Sequence, residues 1–144
     1  LGGSIPLLDL HPISFDNQQG IEIKIANEIF KLFLLPHGYI NTICFIHKNL
    51  AYFTDCQEIP KIVLEQLIEI RPKQLIIECL QSHPHETHLN LEKSFSYIEK
   101  IRPGRAWLTH ISHCLEHTEL KKMAQERFDF PVLPVYDNQV IEYS

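Results

Sequence analysis

Three times in this 144-residue chain an apolar run stops at a side chain able to bind a metal. His37 follows Phe33-Leu34-Leu35-Pro36, Asp55 follows Ala51-Tyr52-Phe53-Thr54, and His110 follows Trp107-Leu108-Thr109. Imidazole and carboxylate suit zinc, manganese or iron, and a carboxylate can bridge two ions. Strands of an α/β sheet present side chains to ligands at their carboxyl ends, so three such groups from three strands can converge on one ion. Each residue taken singly also has a structural reading. His37 can be a loop histidine, and Asp55 a turn residue or helix cap.

A second cluster, His83-Pro84-His85-Glu86-Thr87-His88, precedes a helix signal at Asn90-Leu91. Pro84 stiffens this loop, and His83 and His85 read as solvated. His88, nearest the helix start, has backbone N–H groups and a positive helix end beside it to help hold an anion. An imidazole there can donate a proton to the leaving oxygen of a phosphodiester. The competing reading of His88 is a solvated loop histidine or a local cap.

The elements that must position these groups follow from periodicity. Ile21, Ile23 and Ile25 alternate with charged residues and Ile29 to Leu35 is nearly apolar, which predicts a hairpin about Ala26-Asn27. A second hairpin is expected from Thr42–Ile46 and Leu50–Phe53 around His47-Lys48-Asn49, with Asn49 suited to positive φ. Pro60 opens a helix whose stripe is Val63, Leu64, Leu67, Ile68 and Ile70, ended by Arg71-Pro72. Leu75-Ile76-Ile77 reads as a buried strand. Asn90 caps a second helix carrying Leu91, Phe95, Ile98 and Ile101, closed by Pro103-Gly104. Ala106-Trp107-Leu108 is a further strand, followed by a third helix around Leu115 to Phe128. Val132–Val135 and Val140–Ile141 predict a last hairpin turning at Asp137-Asn138. The order is α/β: a β-rich start, then alternation of strand and helix. No repeat, low-complexity segment or linker interrupts residues 1–144, which are assigned to one domain.

Composition sets limits on partners and compartment. With 44% hydrophobic residues the chain can bury a real core. A formal net charge of -5, from 13 Lys+Arg against 18 Asp+Glu, gives no long-range attraction for nucleic acid. No apolar run approaches the ~20 residues of a membrane helix, and no signal peptide is recognisable. Cys44, Cys56, Cys79 and Cys114 are far apart, which fits free thiols of a reducing cytoplasm better than a disulfide framework. The chain begins Leu1-Gly2-Gly3 without Met, which is expected of a fragment, a processed product or an engineered piece.

Taken in order, the motifs become specific. Leu35-Pro36-His37-Gly38, Ala51-Tyr52-Phe53-Thr54-Asp55, Pro84-His85-Glu86-Thr87-His88-Leu89-Asn90-Leu91-Glu92, Leu108-Thr109-His110-Ile111-Ser112-His113 and Val135-Tyr136-Asp137 together resemble the metallo-β-lactamase superfamily. The resemblance is greatest to its phosphoribosyl cyclic phosphodiesterase branch and runs from about residue 20 to the end. It implies the C-terminal half of an αββα sandwich, a mixed sheet with about three helices. It also implies a site of two ions, Zn2+ or Mn2+, that activates water against phosphorus. By the resemblance His37 is a ligand of the first metal, Asp55 bridges both, and His110 is a ligand of the second. His88 matches the histidine that contacts the substrate phosphate and serves as general acid. His113 matches a histidine that in some members completes a structural zinc site with N-terminal cysteines absent from this chain. Tyr136-Asp137-Asn138 replaces the usual Tyr-Asp-Gly turn, a mild departure because Asn also tolerates positive φ.

The larger departure is that the family's His-x-His-x-Asp-His, which supplies four of its ligands, does not occur here. His83-x-His85-x-x-His88 lacks the Asp and falls after the bridging carboxylate rather than before the first ligand. Activating water needs a firmly held metal with an open position. The expectation is therefore a chain inactive or nearly so by itself. It would work with a separate N-terminal half, or else be a degenerate domain that forms a homo-oligomer. A small phosphodiester or nucleotide is the expected substrate; a nuclease with a basic exosite is disfavoured by the acidic balance.

Overall fold

The computed structural model describes residues 10–15 and 19–143; Leu1-Gly2-Gly3 lies outside the described residues. Seven strands form one mixed sheet in sequential order. The antiparallel part is β1 (Ile21–Ile25), β2 (Glu28–His37), β3 (Ile40–His47) and β4 (Leu50–Phe53). The parallel part adds β5 (Gln74–Glu78), β6 (Arg105–Thr109) and β7 (Val132–Pro134) to β4. Helices α1 (Lys61–Ile70), α2 (Leu91–Ile101) and α3 (His117–Arg127) are the crossovers. Because each crossover steps to the next strand in the same direction and such connections are right-handed, all three helices fall on one face.

Local chemistry explains the elements. Ala26 and Asn27 both take positive φ, as a two-residue hairpin turn demands. In the second hairpin Lys48, at φ 52°, rather than Asn49 supplies the left-handed residue. Asn90 accepts a 3.1 Å bond from the Lys93 amide and caps α2 as expected. Arg71 and Arg102 end α1 and α2 in the left-handed conformation. In α1, Val63 and Leu67 are buried, whereas Ile70 is exposed.

The core lies between the helices and one face of the sheet. Phe33, Leu35, Cys44, Ala51, Phe53, Leu75, Ile77, Ala106 and Leu108 point into it, meeting Val63 and Leu67 of α1 and Phe95 and Ile98 of α2. The residues between them point the other way. On that second face Leu34 and Ile43 sit opposite each other, 38% and 48% exposed, and Phe45 stacks on Tyr52. The apolar patch around Leu34 and Ile43 is thus exposed, whereas Leu32, His47 and Trp107 on the same face are buried.

The final hairpin does not form as expected. Its turn exists, with Asn138 at φ 63° and the Gln139 amide bonded to the Tyr136 carbonyl at 3.1 Å. Residues 140–141 form no strand, and Val140 is 84% exposed. The chain instead leaves the β7 edge and anchors by the Tyr143 hydroxyl to His47 Nδ1 at 3.0 Å.

Candidate metal centre

The site forms where the parallel strands end. Asp55 and His110 come just after β4 and β6, and both leave their strands with positive φ, 56° and 54°. Asp and His enter this region more readily than most residues, although it still costs energy for any side chain with a Cβ. The two turns bring His110 Nδ1 to 3.2 Å from Asp55 Oδ1, across the intervening strand β5. That strand ends in Glu78, which is fully buried.

Glu78 organises the floor of the site. Its Oε1 accepts a 2.7 Å bond from the Cys56 amide, fixing the loop just after Asp55. Its Oε2 lies 2.8 Å from His88 Nδ1 and 3.8 Å from His110 Nδ1. One carboxylate therefore braces residues from three segments. A carboxylate only accepts, so Nδ1 of His88 carries the proton in that bond and Nε2 is the nitrogen left for other work.

His88 occupies the middle of the cluster. Its ring centroid is 4.6 Å from that of His37, 4.8 Å from His110 and 5.1 Å from His85. His37, at the end of β2, bonds through Nδ1 to the Thr87 carbonyl at 3.0 Å. A carbonyl cannot donate, so neutral His37 keeps Nε2 bare and oriented, the arrangement of a metal-ligating histidine braced by a backbone acceptor. Gly38 makes the contact possible: at φ 62°, a Cβ there would lie 2.8 Å from Thr87 Cγ2.

Two groups of possible ligand atoms result, His37-Asp55-His88 and Glu78-His88-His110, the atoms within each lying no more than 4.8 Å apart. The four residues His37, Asp55, His88 and His110 therefore do come together. Their donor set of imidazole nitrogens and carboxylate oxygen fits a divalent ion of the zinc or manganese type. The thiols are not part of it. Burial and the neighbouring Glu78 push Cys79 up to about 12, and the adjacent Cys44 together with burial pushes Cys56 far above the ordinary thiol range, so both stay protonated. Cys44, Cys56 and Cys79 are buried free thiols as expected, whereas Cys114 is free but exposed.

His83, His85 and His113 belong to neither group. His113 is exposed, its Nε2 3.4 Å from Cys114 Sγ. His83 is exposed, and exposed His85 accepts from the Thr87 amide at 3.3 Å, bracing the loop. The first-turn amides of Leu91 and Lys93 are taken by the Gln81 carbonyl and Asn90 Oδ1, so what orients His88 is Glu78. Glu78 is the functional residue that sequence reasoning missed. The available signal was an acid closing the apolar run Leu75-Ile76-Ile77, where a charge must find partners to be buried.

Solved structures with the same architecture exist. A diphosphatase from the PhnP family superposes with a TM-score of 0.75 at 27% identity, over 85% of this chain and 46% of that one. The metallo-β-lactamase fold protein YhfI from Bacillus subtilis gives 0.65 at 18%, over 80% of this chain and 48% of its own. Zn2+-bound PqqB from Methylobacterium extorquens gives 0.61 at 12%, over 86% and 50%. This chain thus spans about half the length of each. No protein-family model matches the sequence, and no curated protein matches it.

Proposed function

The chain has the metallo-β-lactamase fold, and on that premise we propose that it carries half of the active site of a metal-dependent hydrolase. Its substrate is a phosphodiester of the cyclic nucleotide or phosphoribosyl type. The observation that carries the reading is the meeting of His37, Asp55, His88 and His110, from four separate segments, over the buried carboxylate of Glu78. Likeness to a diphosphatase favours chemistry at phosphorus, and likeness to a zinc-bound protein favours Zn2+, with Mn2+ the alternative.

His37 offers Nε2, Asp55 its carboxylate and His110 an imidazole nitrogen to the ion or ions. A divalent ion bound there supplies a Lewis acid and brings the pKa of water toward neutrality. His88 serves the leaving group. As the water oxygen bonds to phosphorus and the P–O bond to the leaving group breaks, the imidazolium form of His88 passes its Nε2 proton to the departing oxygen, while Glu78 keeps hold of Nδ1–H and supplies the countercharge. Glu78 is a positioning residue, because it acts through His88. His113 with Cys114 offers an imidazole and a thiol toward a structural ion whose other ligands belong to the absent half.

Three ligands for two ions leave the centre incomplete, so turnover by this chain alone is slow or nil. The exposed apolar patch around Leu34 and Ile43 is where the N-terminal half packs, or failing that a second copy of the chain. Sedimentation should find a self-associated species that Ile43→Lys disperses without unfolding it; a monomer with or without the substitution contradicts the pairing. Buried free thiols favour a cytoplasmic setting. Among the described residues, no helix is long and apolar enough to cross a membrane.

The function is tested with zinc-loaded protein and bis(p-nitrophenyl) phosphate. His88→Ala should reduce the slow hydrolysis by about a hundredfold or more while zinc content is unchanged. Loss of zinc in that variant would make His88 a ligand, and hydrolysis independent of His88 would remove it from the mechanism.

A further inference from the structure

A cavity of about 640 Å³ with His110 on its wall lies between the β6–α3 loop and the segment after β7. Its wall also carries Ser112, His113, His117, Tyr136 and Asp137, and among the described residues neither Lys nor Arg lines it. A phosphate would meet there a carboxylate and no fixed cation, so the phosphate belongs in the imidazole cluster and the cavity takes what is attached to it.

The aromatic wall is built rather than incidental. His117 Nε2 donates to the Val135 carbonyl at 2.9 Å, which fixes the ring, and Tyr136 packs on it at 4.1 Å between centroids. The Tyr136 backbone is clamped from both directions by Gln139, whose amide donates to its carbonyl at 3.1 Å and whose Oε1 accepts from its amide at 3.2 Å. Tyr136 nonetheless stays 65% exposed. A tyrosine with a fixed backbone, a second ring against it and much of its surface exposed is a stacking platform for a planar group. Asp137, next in the chain and also on the cavity wall, is acceptor-only when ionised and suits vicinal hydroxyls.

We infer that this cavity is a nucleoside subsite: the base stacks on Tyr136, Asp137 accepts from the ribose hydroxyls, and the attached phosphate reaches His88 and His110. The inference rests on the phosphodiester reading and narrows it to substrates carrying a nucleoside.

Binding to the full 144-residue chain decides it. Adenosine monophosphate, adenosine, ribose 5-phosphate and inorganic phosphate are titrated by NMR or calorimetry. The nucleotide should bind about tenfold more tightly than ribose 5-phosphate, the usual scale of one base–aromatic stack. Tyr136→Ala should erase that advantage, and Asp137→Asn should weaken nucleotide but not inorganic phosphate. Tyr39→Ala, at a fully exposed tyrosine off the cavity wall, should leave it intact. Equal binding of nucleotide and ribose 5-phosphate, an advantage that survives Tyr136→Ala, or no binding of any probe would overturn the subsite. Adenosine binding as well as its monophosphate, with the Tyr136 dependence kept, would sustain the subsite and count against the phosphodiester reading.

Discussion

Glu78 Oε2 and His88 Nδ1 stand 2.8 Å apart, and the other oxygen of the same carboxylate holds the Cys56 amide at 2.7 Å. A strand-end acid with no solvent exposure thereby joins the proposed proton donor to the loop that carries Asp55. Removing that acid should disturb His88 and Asp55 together.

Glu78→Gln tests this link. A glutamine side chain has one acceptor oxygen, so it can serve the Cys56 amide or His88 Nδ1–H but not both. Nitrogen-15 NMR of neutral His88 should show the Nδ1–H tautomer in the native protein and a mixture in the variant. An unchanged tautomer would mean that Glu78 does not orient the ring.

Gly38→Ala should be costly for an exposed position. The new Cβ meets Thr87 Cγ2 at 2.8 Å, and φ 62° is strained for alanine, so about 1–2 kcal/mol of stability should be lost. Thr87 is also the residue whose carbonyl orients His37, so zinc affinity should fall as well. Thermal unfolding and zinc titration check both; a stable variant with native affinity would show that the hairpin tip adapts freely.

Arg127 bridges α2 and α3 through Glu92 and Glu99, with contacts of 2.8 and 2.7 Å. Its guanidinium holds both carboxyls below the usual carboxylate range. A depressed carboxyl stabilises the fold above its unfolded pKa, and that contribution is lost as pH falls through the folded value. Arg127→Met, which keeps an unbranched side chain of similar length, should therefore lower Tm modestly at neutral pH. The difference should shrink as pH falls through the lowered folded-state values and the carboxyls become protonated. A gap that persists in acid would assign Arg127 to packing alone.

Much of this architecture is legible in the residues. Alternation over Ile21–Ile25, the Asn90 cap and the Pro60 start each report a local preference that tertiary structure leaves in place. Val140–Ile141 misled because a short apolar pair after a turn reads as a strand, while here the chain leaves the β7 edge and is held by the long-range Tyr143–His47 bond. The candidate site was legible as far as metal-capable side chains at strand ends could be recognised by type. Glu78 was not, because its burial follows from β5 lying between β4 and β6, and strand order is a long-range property. The stacking of Tyr136 on His117 is hidden for the same reason: 19 positions separate them, and only the α3–β7 return brings them together.

The central claim is that His37, Asp55 and His110 hold a divalent ion while His88 works on the substrate. Zinc content of the purified chain, measured by inductively coupled plasma mass spectrometry after zinc loading and dialysis, tests it most directly. Bound zinc that falls in His37→Ala, Asp55→Ala and His110→Ala but persists in His88→Ala is the predicted result. A native chain that retains no zinc or manganese, or a His110→Ala variant with undiminished occupancy, would contradict it.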